Sequence, residues 1–151
     1  MSDKPQRIIG WREWLAIDEL GIPRIKAKVD TGARTSALHA FYVEPEQRDE
    51  ALWVRFGVHP LQKNQIEVIH CQAPVIDQRV VSDSGGHREA RYVIQSQVTL
   101  GKYSWPVELT LTNRDTMQFR MLLGRSALDG HFLVDVSRSY LLSGKLRHPQ
   151  P

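Results

Sequence analysis

Arg24-Ile25-Lys26-Ala27-Lys28-Val29-Asp30-Thr31-Gly32-Ala33-Arg34-Thr35-Ser36-Ala37-Leu38-His39 is the stretch on which the fold turns. It opens with Ile25, Ala27 and Val29 alternating against Arg24, Lys26 and Lys28, the period-two pattern of a half-buried strand. The strand then runs into a carboxylate, a hydroxyl, a glycine and an alanine. Gly32 permits a tight backbone reversal, and the Thr31 hydroxyl is suited to bond backbone groups that the reversal leaves unpaired. Asp30 is thereby held at a strand end, the rigid placement that an acid or base requires. Taken alone, the tetrapeptide reads first as an ordinary Asp-Thr-Gly turn, which is common in β proteins.

Outward from this stretch the chain is a series of short apolar runs between turn signals. Ala51–Val58 places Leu52, Val54, Phe56 and Val58 on one face and stops before Pro60. Gln65–His70, with Ile66 and Val68, reads as another strand. Gln78–Val81 and Arg91–Ile94 flank SDSGGHREA, a polar Gly-Gly stretch that predicts a hairpin tip over Ser82–Ala90. Tyr92–Leu100 and Trp105–Leu111 alternate cleanly across Gly101–Lys102, a second hairpin signal, and Phe132–Val136 gives a last strand. Arg7–Leu20 shows little helical pattern, being interrupted by Gly10 and by LGIP, while Gly124–Asp129 suits one short helix. Many short strands with frequent turns predict an all-β barrel or sandwich. No linker divides the 151 residues, so a single domain over 1–151 is expected, ordered from about 8 to 144 with frayed ends at Met1–Gln6 and Arg147–Pro151.

Composition narrows the function classes. Hydrophobic residues at 41% and charged residues at 25% are those of an ordinary globular chain, not a disordered one. No apolar run approaches the roughly 18–20 residues of a membrane helix, so no membrane association is expected. MSDKPQRIIGWREW has neither an apolar core nor a small-residue cleavage site, and Cys71 is the single cysteine, which excludes an internal disulfide. A reducing cytoplasm is the expected address. The net charge of +3 is spread along the chain rather than gathered into an aromatic-interleaved stripe, so nucleic acid is not an expected partner. Cys71 reads as a small buried hydrophobe, and Trp11, Trp14, Trp53 and Trp105 as core or interface aromatics. Tyr42, Asp77 and Asp115 read as turn or solvated residues that a site can recruit.

A second local feature is Met121-Leu122-Leu123-Gly124-Arg125-Ser126-Ala127-Leu128. DTGA, then a Gly-rich hairpin, then apolar-apolar-Gly-Arg-x-x-Leu, in that order, resemble the retropepsins, the one-domain aspartic peptidases. Ala27–His39, Trp53-Val54-Arg55-Phe56, Ser84-Gly85-Gly86, Arg120–Arg125 and Phe132-Leu133-Val134-Asp135 are similar to a narrower bacterial and archaeal family. That family carries the label "ATP-dependent zinc protease", is described as retropepsin-like, and is often linked with ATP-grasp ligases that add glutamate. The match runs roughly from Gly10 to Leu142.

The resemblance implies a closed retropepsin-like barrel with a flap hairpin and one short helix. It implies an aspartic peptidase in which Asp30, with Thr31 and Gly32, is catalytic, and in which Ala33, Arg34, Ser84, Gly85, Gly86 and Arg125 meet substrate. One DTG per chain then requires a homodimer that sets Asp30 against its own copy. A binding or adaptor module beside an ATP-grasp ligase is the alternative, since a fold does not certify chemistry. The six histidines form no HxH or HxxxH pair and no GxxxxGK[ST] loop exists, so neither zinc nor ATP is expected as a cofactor. His70 and Cys71 are adjacent and should point to opposite faces of a strand. After DTGA, retroviral enzymes continue with an Asp that pairs with the later Gly-Arg; here Arg34 stands there, leaving Arg125 without that partner. Two guanidiniums near the site, with Lys28, Arg88 or Arg91 as further candidates, suggest an acidic peptide or poly-glutamate tail as substrate.

Overall fold

Short extended runs, most of them alternating, build twelve strands in a computed structural model that describes residues 7–61, 67–82, 85–113 and 119–143. Strands β1 (Arg7–Gly10) and β2 (Arg12–Ile17) precede a 3-10 turn at Asp18–Leu20, and β3 (Ile22–Val29) then runs into the Asp30 loop. After it come β4 (Ser36–His39), β5 (Tyr42–Arg48), β6 (Ala51–Val58) and β7 (Ile69–Pro74). The hairpin strands β8 (Asp77–Ser82) and β9 (Arg88–Leu100) are followed by β10 (Tyr103–Thr112), β11 (Met121–Leu123), helix α1 (Arg125–Leu128) and β12 (Phe132–Asp135).

Six strands close into a barrel in the order β10-β4-β11-β3-β2-β9, with β9 pairing back onto β10 and β8 extending the sheet beyond β9. Closure leaves no free edge among those six. The interior is filled by one face of each strand: Leu15, Ile25, Leu38, Ile94, Leu109 and Met121 are all fully buried. In β3 the split is the expected one, with Ile25, Ala27 and Val29 inside and Lys28 exposed. Two smaller sheets flank the barrel. The β5-β6-β7 sheet adds Val54, Phe56 and Val58 to the same core cluster, and β1 pairs in parallel with β12. Each large apolar side chain sealed in this way contributes about 1.5–3 kcal/mol.

The turn at Gly101–Lys102 joins β9 to β10 with Leu100 opposite Tyr103. Gly101 adopts φ +60°, and a side chain there would collide with the Leu142 carbonyl, so glycine is required twice over. Glu13 is a buried polar anchor. Its carboxylate lies inside the barrel end and accepts the amides of Gly10 (2.8 Å), Leu141 (2.9 Å), Leu142 and Ser143 (3.0 Å), so that the segment after β12 is strapped across β2.

The all-β barrel with one short helix is as expected, with local corrections. The strand expected at Gln65–His70 is displaced: Glu67 and Val68 are not in a strand, and pairing begins at Ile69, opposite Val58. Gln65 and Ile66 lie outside the described residues, as do both expected frayed ends. Arg91–Ile94 and Tyr92–Leu100 belong to one continuous strand, β9. β1, β2, β4 and β5 appear where no strand is expected.

Candidate active site

The Asp30 loop is fixed by main-chain bonds before any side chain contributes. As β3 ends, the Asp30 amide donates to the Leu123 carbonyl of β11 at 2.9 Å, and the Ala33 amide closes the turn on the Asp30 carbonyl at 3.2 Å. The Gly32 amide donates to Asp30 Oδ1 at 3.0 Å, which sets the carboxylate plane, and among the described residues no hydrogen bond commits Oδ2. Thr31 contributes through its backbone rather than its hydroxyl. Its carbonyl accepts from Arg125 Nη1 at 3.3 Å, while the side chain is exposed and no hydrogen bond reaches its hydroxyl among the described residues.

Behind the loop lies the Leu122-Leu123-Gly124-Arg125 segment. The first amides of α1 have no intrahelical acceptor and find theirs in the loop: Arg125 N–H donates to the Ala33 carbonyl at 2.7 Å and Ser126 N–H to the Arg34 carbonyl at 3.1 Å. Gly124 N–H donates to Ser36 Oγ at 3.0 Å. The approach is so close that a Cβ on Gly124 would overlap the Thr35 carbonyl group. The two motifs singled out in the sequence are therefore one structural unit.

Asp30, half-buried, opens onto a cleft of about 960 Å³ between this loop and the β8–β9–β10 sheet. The cleft is rich in arginine. Arg34 lines one wall and is exposed; Arg79 and Arg91 line the other. Arg125 is exposed at the rim of the loop, and among the described residues neither Arg34 nor Arg125 forms an ion pair with a carboxylate. The opposite wall is neutralised. Arg79 donates from Nε to Asp77 Oδ2 at 2.7 Å and from Nη2 to Glu108 Oε1 at 2.9 Å. The Arg79 bond, helped by the Gln78 amide, holds the Asp77 carboxyl below its ordinary range, and the same partners push the Arg79 guanidinium up. Arg91 is buried, donates to Thr110 Oγ1 at 3.2 Å and pairs with Glu89 at 3.3 Å.

Of the residues expected at the site, Asp30, Gly32, Ala33 and Arg34 line the cleft, and Arg91 joins them. Lys28 points outward from β3, and Arg88 is exposed at the start of β9 opposite Ser82. The hairpin forms with a shorter tip than the expected Ser82–Ala90, because Ser82 and Arg88–Ala90 are paired in its strands; its arm from Arg79 to Ser82 lines the cleft, whereas Gly85 and Gly86 do not. Ser84, together with Asp83, lies outside the described residues, as does Asp115. Arg79 and Glu108 enter the cleft without any sequence motif, and Ser126 enters it from the Met121–Leu128 stretch, in which the sequence does not single it out as a site residue. Only the cross-strand pairing of Arg79 with Arg91 could have signalled the first of them.

Outside the cleft, Cys71 is buried against the Leu20 carbonyl, and burial pushes its thiol up to about 12. His70, next in sequence, turns to the solvent face and is hydrogen-bonded to the Tyr42 hydroxyl. No group of three or more His, Cys, Asp or Glu side chains is placed to hold a metal ion among the described residues. Nor is any helix there long and apolar enough to cross a membrane.

Residues 8–145 match the RimB-like family, described as retropepsin-like aspartic endopeptidase RimB. The chain belongs to the RimB-like family. Two curated relatives are similar over nearly its whole length, and both are named probable alpha-L-glutamate ligase. The protein from Parasynechococcus marenigrum is 54% identical over 143 residues, covering 95% of this chain and 30% of the relative. The protein from Shewanella pealeana is 49% identical over 145 residues, covering 96% and 31%. This RimB-like chain thus spans under a third of the length of the curated relatives it matches. Among solved structures, the Legionella pneumophila protein Lpg0085, of unknown function (DUF785), aligns with a TM-score of 0.75 at 22% identity. That alignment covers 91% of this chain and 98% of the other, and it shows a shared fold.

Proposed function

We propose that this RimB-like chain is an aspartic-type peptidase that acts as a homodimer on acidic or glutamate-bearing peptides. The observation that carries the reading is the Asp30 loop itself: a carboxylate fixed through one oxygen by Gly32 and facing a cleft, with Arg34 on the cleft wall and Arg125 bonded to the loop, neither paired with a carboxylate among the described residues. Two carboxylates about 3 Å apart cannot both ionise cheaply, so a dyad made from two copies of Asp30 shares one proton. The ionised member takes a proton from water as the water oxygen attacks the peptide carbonyl carbon. The protonated member gives its proton to the carbonyl oxygen. The resulting tetrahedral diol collapses as one Asp30 gives a proton to the leaving nitrogen and the other takes a proton from a diol hydroxyl, which breaks the C–N bond, forms the carboxylic acid and restores the singly protonated dyad. Arg34 and Arg125 supply planar forks that fit substrate carboxylates in bidentate fashion. The substrate class also agrees with the relatives' name, probable alpha-L-glutamate ligase, which favours a glutamate ligase as the working partner.

A second reading has its own support. The matched region is a minor part of relatives named as ligases, which suits a module that presents an acidic chain to a ligase without cutting it. One experiment separates the two. The pure protein and its Asp30→Asn variant are incubated with glutamate-rich and neutral peptides, and products are read by mass spectrometry beside sedimentation of the protein. The peptidase reading expects a dimer, cleavage of the acidic peptides, and none by Asp30→Asn. Binding without cleavage by the wild type supports the adaptor, and cleavage by Asp30→Asn removes the aspartic mechanism.

A further inference from the structure

Cross-strand partners share a face, and two successive pairings carry the cleft wall outward onto a basic surface. Leu122, which lines the cleft, is in register with Lys28, and Lys28 is in register with Arg12. Further along the same two strands Lys26 pairs with Trp14, and Arg24 follows on the same face of β3. Arg12, Arg24, Lys26 and Lys28 thus form a band of cations on the outer side of β2 and β3. Among the described residues none of the four pairs with a carboxylate, and Arg24 Nη1 is buried without a hydrogen-bond partner. Glu13, the neighbouring acid in β2, points inward and is spent on main-chain amides.

The aromatic rings on this face are covered by its own cations. Arg12 lies 4.7 Å from the Trp11 ring and 5.0 Å from that of Tyr140. Lys26 and Arg24 lie over Trp14 at 5.3 Å and 5.8 Å. These contacts hold the long stems in place and lower the entropy lost when a ligand binds. Trp14 is buried and each of these rings already carries a cation, which leaves less π-face for a base to stack on, so the band suits carboxylates better than single-stranded nucleic acid.

We propose that this band is an exosite for the acidic chain of the substrate, which leaves the cleft past Leu122 and continues over Lys28 towards Arg12, Lys26 and Arg24. The proposal rests on reading the Asp30 cleft as a site for acidic peptides. Leu122 and Arg12 are two strand spacings apart, roughly 10 Å, which an extended chain crosses in about three residues. A short acidic peptide therefore fills the cleft alone, and a longer one reaches the band.

The test uses the full chain carrying Asp30→Asn, so that peptides persist, and fluorescence anisotropy of labelled peptides of about four and about ten glutamates. The longer peptide is expected to bind about tenfold tighter than the shorter, an advantage that strong salt erases. Adding Lys26→Glu and Lys28→Glu should abolish the advantage and leave the short peptide's affinity unchanged. If the advantage survives the charge reversals, the exosite is overturned while the cleft reading stands. If only the longer peptide binds, and the reversals abolish that, the exosite stands and the cleft reading falls. A glutamine peptide of equal length that binds as tightly, or a thymidine strand of equal charge that displaces the glutamate chain more effectively than unlabelled peptide does, overturns the assignment to an acidic polypeptide.

Discussion

Replacing Gly124 by alanine tests whether the Asp30 loop owes its shape to the segment behind it. Gly124 has φ −87° and ψ 175°, extended backbone that any residue adopts, so alanine meets no conformational penalty there. The penalty is contact. The new Cβ would overlap the Thr35 carbonyl group and lie 3.0 Å from the Ala33 oxygen, and backbone atoms cannot swing aside as a side-chain tip can. Relief requires α1 to retreat from the loop, which breaks the bonds from Gly124 to Ser36, Arg125 to Ala33 and Ser126 to Arg34. At a net value of about 0.5–1.5 kcal/mol per bond, that retreat costs about 1.5–4.5 kcal/mol. If the segment stays, packing strain of about 1–3 kcal/mol takes its place. For a chain of this size each kcal/mol lowers Tm by about 2–4 °C, so Gly124→Ala should melt roughly 2–18 °C below wild type. Gly86→Ala is the control, because Gly86 sits at φ +84° and a Cβ added there would meet nothing within 4 Å. Its cost is the left-handed conformation alone, about 1–2 kcal/mol. Scanning calorimetry gives the two Tm values, and peptide cleavage is compared below both. Cleavage by Gly124→Ala should fall more than about tenfold, because misplacing a catalytic group by about 1 Å costs up to a hundredfold. A variant that melts within about 1 °C of wild type would refute the contact argument. One that melts low yet cleaves at the wild-type rate would refute the coupling of this segment to Asp30.

The remaining expectations concern single groups. Native Cys71 should resist an aromatic disulfide reagent near pH 8 and react only on unfolding, because burial raises its thiol from 9.0 to about 12. Its raised value also means that stability present below pH 9 is lost as pH climbs from 9 to 12, a decline that Cys71→Ala should flatten in alkaline melts. Asp77 should titrate below the ordinary 3.8 in a carboxyl NMR titration and rise towards it in Arg79→Gln, with the Gln78 amide still bonded to the carboxylate. A depressed value stabilises above the unfolded value, and that stability is lost as pH falls through the folded one, so the Asp77–Arg79 bond outlasts the ordinary Asp midpoint as the solution is acidified. An ordinary midpoint in the wild type would contradict this. Chelation by EDTA should change neither Tm nor cleavage, since no set of metal ligands converges among the described residues. Stoichiometric zinc retained through gentle purification would contradict it.

How much of the molecule is legible in the sequence depends on what each face of a strand meets. β3, β6 and β10 have one face in the core and the other towards solvent over most of their length, so Ile25, Phe56 and Leu109 announce themselves by alternation. β2 does not, because Glu13, Trp14, Leu15, Ala16 and Ile17 are all buried and double-sided burial erases the period. β4 is hidden for the same reason, and β5 because Pro45, Glu44 and Glu46 are tolerated on the edge strand that it forms. The site divides along a similar line. Asp30 and Gly124-Arg125 are legible because each is a local run with its own backbone chemistry. Arg79 and Glu108 are not, since they reach the cleft through strand register and through a bond spanning 29 positions. The Glu13 anchor joins partners up to 130 positions apart. The same reasoning explains the band along β3: alternation that sends Ile25 and Ala27 into the core must send Arg24, Lys26 and Lys28 out of it. A strand needs only some polar residue on its outer face, and closing the barrel does not require that all three be cations. Their shared charge, continuous with the cleft through Leu122, is therefore a property the fold leaves to be explained by what binds there.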